Sequence, residues 1–170
     1  MEVRKAKVGD EARMAEIQVA AWRRAYSGIM SPSLLDALDI NQKTDMWRNA
    51  LERAGKGSYI VSEVDGHVEG FAVFGPARDQ DLDESESAEI VSINIDPDKW
   101  GVGLGRSLLN YMIDRFSADG FGSVHLWVVI QNERAIRLYQ RNGFVSEGKI
   151  KTDPKHSDIQ EIRFLRYLNR

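Results

Sequence analysis

The stretch A-E-I-V-S-I-N-I-D-P-D-K-W-G-V-G-L-G-R-S-L-L, residues 88–109, decides the fold. The β-branched run from Glu89 to Ile95 reads as a strand and stops at Asp96-Pro97. Glycines follow at 101, 103 and 105 and lead into a helix ending near Ala118, with Leu104, Leu108 and Tyr111 on one row and Leu109, Met112 and Phe116 on the next. A helix that begins inside a glycine loop offers unpaired main-chain N–H groups and the positive end of its dipole. Gly101, Gly103 and Gly105 let that backbone come close to a bulky anion such as a pyrophosphate, and Arg106 adds a charge. A tight strand-to-helix turn is the plainer reading of the same residues. The spacing disfavours two rivals: G-V-G-L-G-R lacks the third glycine of G-x-G-x-x-G, and no G-K-[ST] is present for a triphosphate loop.

Upstream, Val3 to Lys7 reads as a strand, and Asp10 is placed to cap a helix to about Tyr26 carrying Ala15, Val19, Trp22 and Tyr26 at helical spacing. Gly28 and Pro32 interrupt; helical segments are expected over Ser33–Leu38 and Thr44–Ala54, and Gly55 and Gly57 end them. Ser58–Val64 and His67–Phe74 alternate as strands joined by the Asp65-Gly66 turn of a hairpin. Downstream, Val124–Ile130 is a strand, Asn132–Asn142 a helix closed by Gly143, and Phe144–Lys151 and Gln160–Tyr167 two last strands. No repeat or linker interrupts this order, so the expectation is one mixed α/β domain over residues 1–170.

Composition narrows the chemistry. The 170 residues contain no cysteine, which removes thiolate nucleophiles and sulfur-ligated zinc. His67, His125 and His156 are far apart and form no H-x-x-x-H pair, so no metal site is expected. A net charge of −3 argues against nucleic acid, and the absence of a long apolar run or apolar leader against a membrane, which points to the cytoplasm. Asp79, Asp81, Asp83, Glu84, Glu86 and Glu89 form an acidic run without lysine or arginine, either a solvated loop or an attractor for a cationic substrate.

A second stretch, L-W-V-V-I-Q-N-E-R-A-I-R-L-Y-Q-R-N-G-F at 126–144, is a strand, a cap, a helix and the start of another strand. Taken singly, Asn132 is an N-cap and Tyr139 a core residue of an amphipathic helix. Together the two stretches resemble the GNAT acetyltransferase superfamily. Gly103-Leu104-Gly105 match the end of its motif R/Q-x-x-G-x-G/A, with Trp100 where R or Q is usual, and Asn132-x-x-Ala135-x-x-Leu138-Tyr139-x-x-x-Gly143-Phe144 matches its second motif. The likeness runs from about Ser58 to the C-terminus, and less specifically through A-W-R-R-A-Y.

That resemblance implies a mostly antiparallel sheet flanked by helices, with one parallel pair, Glu89–Ile95 and Val124–Ile130, splayed to admit a cofactor arm. It implies acetyl-CoA as acyl donor and an amine of a small molecule or protein as acceptor. The pyrophosphate would lie on the backbone of Gly101, Val102, Gly103, Leu104, Gly105 and Arg106. The pantetheine arm would pair with the backbone of Ile93, Asn94 and Ile95, and Asn132 would touch the cofactor from the other side. Lys99 or Arg106 would stand in for the cation that Trp100 lacks. Tyr139 matches the tyrosine that protonates the departing thiolate, and Glu89, in A-E-I-V, matches the base of histone acetyltransferases of the superfamily. Burial beside Val91, Ile93 and Ile95 would raise its pKa. Two alternatives stay open for it: a solvated end of the acidic loop, or a reaction that uses water. The acceptor site would draw on the first helices, at Trp22, Arg23 and Tyr26, although that stripe also reads as core. Homodimers are common in the family, and nothing in the sequence marks an interface. A regulator that binds acyl-CoA without turnover is the alternative to an enzyme, and Tyr139 is the residue such a protein has no need of.

Overall fold

The computed structural model describes residues 1–53, 58–153 and 159–168. The expected helix end at Ala54, the breakers Gly55 and Gly57, and His156 lie outside them. The elements are β1 (Glu2–Lys5), α1 (Glu11–Ala25), α2 (Pro32–Asp36), α3 (Ile40–Glu52), β2 (Ser58–Val64), β3 (His67–Pro76), β4 (Ser87–Ile95), α4 (Leu104–Ala118), β5 (Ser123–Val129), α5 (Glu133–Arg141), β6 (Val145–Thr152) and β7 (Gln160–Tyr167). A short 3-10 turn, Pro97–Lys99, follows β4. The strands form a mixed sheet in the order β1-β2-β3-β4-β5-β7-β6, mostly antiparallel, with β4 and β5 parallel as expected. Among the described residues, no helix is long and apolar enough to cross a membrane.

Residues group into two compact units, 1–74 with 92–111, and 75–91 with 112–170. In the first, the apolar stripe of α1 and one face of α3 close over β2 and β3, burying Met14, Ile17, Trp47, Leu51, Val61, Val68 and Phe71. Trp47 meets Phe71 edge to face, 5.1 Å between centroids, and its indole N–H donates to Gln18 Oε1 at 3.0 Å. Helix α3 starts four residues before the expected Thr44, because Asp39 accepts the Gln42 amide at 2.8 Å. Asp10 precedes α1 as expected, but its carboxylate does not cap the helix. It takes a bidentate Arg4 (2.8 and 3.0 Å) and the Lys7 amide (2.9 Å) instead.

In the second unit β5 is central. Its Val124, Leu126 and Val128 are buried on one face, with Phe164 of β7 opposite Leu126, while His125 and Trp127 alternate to the other face. The register is Glu89↔His125 on one side of β5, and His125↔Leu165 and Trp127↔Arg163 on the other.

Candidate active site

In the first unit the site begins where β4 ends. Asp96 Oδ1 caps the amide of Asp98 at 3.0 Å, while its Oδ2 receives Arg13 at 2.6 Å. Arg13 also reaches Glu69 (2.7 Å) and the Val68 carbonyl (2.9 Å). The Asp96 amide donates to the Glu69 carbonyl at 2.9 Å. Lys99, one stand-in for the missing cation, has its Nζ 3.6 Å from Glu69 Oε1. Arg106, the other, is exposed on the first turn of α4. Trp100 folds back and donates its indole N–H to the Ile95 carbonyl at 2.9 Å.

Gly101 and Gly103 then take φ of +89° and +97°, values that suit glycine and cost other residues roughly 1–2 kcal/mol. Helix α4 opens with the Ser107 amide bonded to the Gly103 carbonyl at 3.0 Å. The amides of Leu104, Gly105 and Arg106 therefore project from the first turn with no place in the helical ladder. A side-chain carbon built on Gly101 or Gly103 meets no atom within 4 Å, so the backbone there is open to an approaching group. An exposed loop of amides at a helix N-terminus fits a diphosphate. On β4, Ile93 and Ile95 are half-buried and Asn94 is buried, its Nδ2 without a hydrogen-bond partner.

The second unit carries the titratable candidates. Glu89 is 4% exposed, and Arg78 grips it bidentately, Nε and Nη2 each 2.7 Å from a carboxylate oxygen. The apolar environment expected for this carboxylate thus includes a guanidinium that the sequence does not advertise. The hydrogen bonds to Glu89 raise the Arg78 pKa above its ordinary value, against the effect of burial. His125, the register partner of Glu89, is fully buried, with Nδ1 3.0 Å from the Ala88 carbonyl.

Asp79 accepts from the Trp127 indole at 2.9 Å and from Arg163 at 3.0 Å. Burial pushes its pKa up, but those two bonds together with the nearby His125 and Lys151 hold the carboxyl below the usual range. Arg163, buried in the sheet, also donates to Asp81 twice at 2.9 Å and to Glu147. Lys149 pairs with Asp81 as well. The acidic run is therefore more than a solvated loop: Asp79, Asp81 and Glu89 all have cationic partners, supplied by Arg78, β6 and β7. Lys151 lies 4.2 Å over the Trp127 ring and 3.6 Å from Glu161, whose pKa burial raises.

Helix α5 starts at Asn132, whose Oδ1 accepts the Ala135 amide at 3.2 Å. The capping role seen in the sequence is thus present. Tyr139 is buried and packs edge to face on Phe144, 5.8 Å between centroids. Of the residues proposed for the acceptor, Trp22 and Tyr26 form a half-buried T-shaped pair at 5.4 Å. Arg23 donates to the carbonyls of Leu35 and Leu38 (3.2 and 3.0 Å), which makes it a tie between α1 and α2. Sequence reasoning missed Arg13, Arg78, Trp127 and Arg163, and considered His125 only as a metal ligand. Arg13 reaches Val68, Glu69 and Asp96, and Arg163 reaches Asp79 and Asp81, all more than fifty residues away, and no local pattern announces those contacts.

The sequence pattern of the Acetyltransferase (GNAT) family matches residues 14–144. YuaI of Bacillus subtilis, an N-acetyltransferase that is itself uncharacterised, is 33% identical over 138 residues, covering 81% of this chain and 76% of YuaI. Among solved structures, the PaiA N-acetyltransferase of Thermoplasma acidophilum, in complex with coenzyme A, superposes with a TM-score of 0.79 at 21% identity, covering 98% of both chains. The structure of yncA of Salmonella typhimurium, solved with its cofactor acetyl-CoA, gives 0.73 at 26% identity, covering 100% of this chain and 95% of that one. A single family pattern runs through both units and through both motifs, and the chain belongs to the Acetyltransferase (GNAT) family as an N-acetyltransferase.

Proposed function

We propose that the chain transfers acetyl from acetyl-CoA directly to a primary amine of a small molecule or protein, with Tyr139 as general acid and Glu89 as general base. The observation that carries this reading is the open amide loop at the start of α4, with Gly101 and Gly103 in left-handed conformation and no atom within 4 Å of either added side-chain carbon. One family pattern covering residues 14–144 supports treating residues 1–170 as one catalytic domain.

In this reading the amides of Gly101 to Arg106 hold the pyrophosphate, backed by the Arg106 charge. The main chain of Ile93 to Ile95 takes the pantetheine arm as an added strand, and Asn132 gives the cofactor a further contact. The cofactor supplies an activated thioester. The acceptor amine, with an ordinary pKa of about 10.4, arrives protonated and attacks only when neutral. Glu89 takes a proton from it, and Arg78, whose own side chain is largely exposed, releases the carboxylate oxygens as the amine enters. Tyr139 delivers a proton to sulfur; a phenol near pKa 10 is well matched to a thiolate near 8.5.

Thiol release from acetyl-CoA, measured against a panel of polyamines, aminoglycosides, amino acids and peptides, tests the reading. Release that depends on the amine, with acetylated product by mass spectrometry, supports it. Release at the background hydrolysis rate with every amine overturns it.

A further inference from the structure

One buried titratable group has no part in the scheme above. His125 is fully buried and sits beside Glu89 in the parallel register of β4 and β5. Its Nδ1 is 3.0 Å from the Ala88 carbonyl, an oxygen that only accepts, so Nδ1 carries the ring hydrogen. Nε2 is then a bare lone pair. It has no hydrogen-bond partner, and it points at Asp79 Oδ2, 3.6 Å away, another acceptor. A single proton added at Nε2 would turn this uncompensated contact into a charge-assisted bond to Asp79.

The surroundings are arranged for that event. Glu89 on β4 and Asp79 on the segment before it both favour a charged ring, while Arg163 on β7 opposes it. Arg78 is paired with Glu89, and Trp127, two residues along β5, fixes Asp79 through its indole. Burial is the largest influence and holds the His125 pKa below its ordinary value, so the ring is neutral and its second nitrogen empty near pH 7.

The reaction needs such a place. Two protons leave an ammonium nitrogen as its N–C bond forms and the C–S bond breaks. One ends on sulfur. The other must be held by the protein until solvent takes it. We propose that His125 is the holding residue for this proton: Glu89 passes it to Nε2, where Asp79 serves as counter-ion, and Glu89 returns to its carboxylate. The inference rests on the amine-acetylation reading with Glu89 as base. His125 acts through Glu89 and does not touch the substrate, so it is a positioning residue.

The test is the pH profile of His125→Asn, whose side-chain amide can still donate to Ala88 but offers nothing at the Nε2 position. The expected result is a loss of roughly 10- to 100-fold in kcat/KM for the amine near pH 7 to 8, where the wild-type Nε2 is empty. That loss closes as pH falls and the wild-type ring is already protonated before the amine arrives, with KM for acetyl-CoA unchanged. A loss by the same factor at every pH would mean a purely structural role and would overturn the proposal. Long-range 1H–15N spectra of the wild-type imidazole test it independently of folding in the variant. Hydrogen on Nδ1 with Nε2 bare at pH 7 supports it, and hydrogen on Nε2 overturns it. The spectra need no turnover, so a protein that acetylates no amine would sink the functional reading while leaving the tautomer on record.

Discussion

Trp100 donates its indole N–H to the carbonyl oxygen of Ile95 across 2.9 Å, tying the residue just before the amide loop to the last residue of β4. Where the family places an arginine or glutamine, this chain uses a bulky donor aimed at its own backbone. The loop is thereby held in place rather than charged. Trp100→Phe keeps the ring and deletes the donor, a change worth about 1 kcal/mol. Steady-state kinetics should show KM for acetyl-CoA rising on the order of 5-fold with kcat within about twofold. An unchanged KM would remove Trp100 from cofactor positioning.

Tyr139→Phe isolates the acid. Tyr139 is buried against Phe144, and phenylalanine keeps that packing, so thermal stability should fall little. The expected kcat is on the order of 10²-fold lower with KM for acetyl-CoA unchanged. An unaltered kcat with a good acceptor would take Tyr139 out of the acid role, provided thiolate loss limits the rate.

Arg163 pulls Asp79, Asp81 and Glu147 onto one buried guanidinium. Arg163→Met takes this shared cation from Asp79, Asp81 and Glu147 and leaves Asp81 its pair with Lys149. Breaking a fully buried pair costs about 3–5 kcal/mol; here the partners keep some contact with water, and about 2 kcal/mol is expected. Urea unfolding should show a lower midpoint at constant slope. An unchanged midpoint would show that the carboxylates find other partners.

The fold was legible because its signals are local. The β-branched run to Ile95, the glycines after Trp100 and the apolar rows of α4 each sit within one element, and they placed the strand, loop and helix correctly. The start of α3 was also readable, since Asp39 and Gln42 have capping spacing, but Trp47 and Leu51 drew the helix toward its apolar centre. The polar face of the second unit was not readable. Arg163 meets Asp79 across 84 residues, and only the register Trp127↔Arg163 brings them together. Arg78 precedes the acidic run with nothing in the local pattern to single it out, yet it is the partner of Glu89.

His125 also leaves a mark on stability. Burial lowers its pKa in the folded protein, while in the unfolded chain it titrates near 6.5. As pH falls below about 6.5, the unfolded chain takes up this proton first, so the folded state loses stability down to the lowered folded value. The melting temperature should therefore fall between pH 7 and 5, and His125→Asn should flatten that slope. An equal slope in both proteins would assign the acid sensitivity to other groups.

The most direct measurement is a calorimetric titration of coenzyme A into the purified protein and into Gly103→Asp. Aspartate there puts a side chain on a backbone at φ +97° and a like charge beside the diphosphate. The account predicts saturable binding to the wild type, weakened on the order of 10-fold or more in the variant by strain and like charge together. No saturable heat at millimolar coenzyme A, or equal affinity in the two proteins, would contradict it.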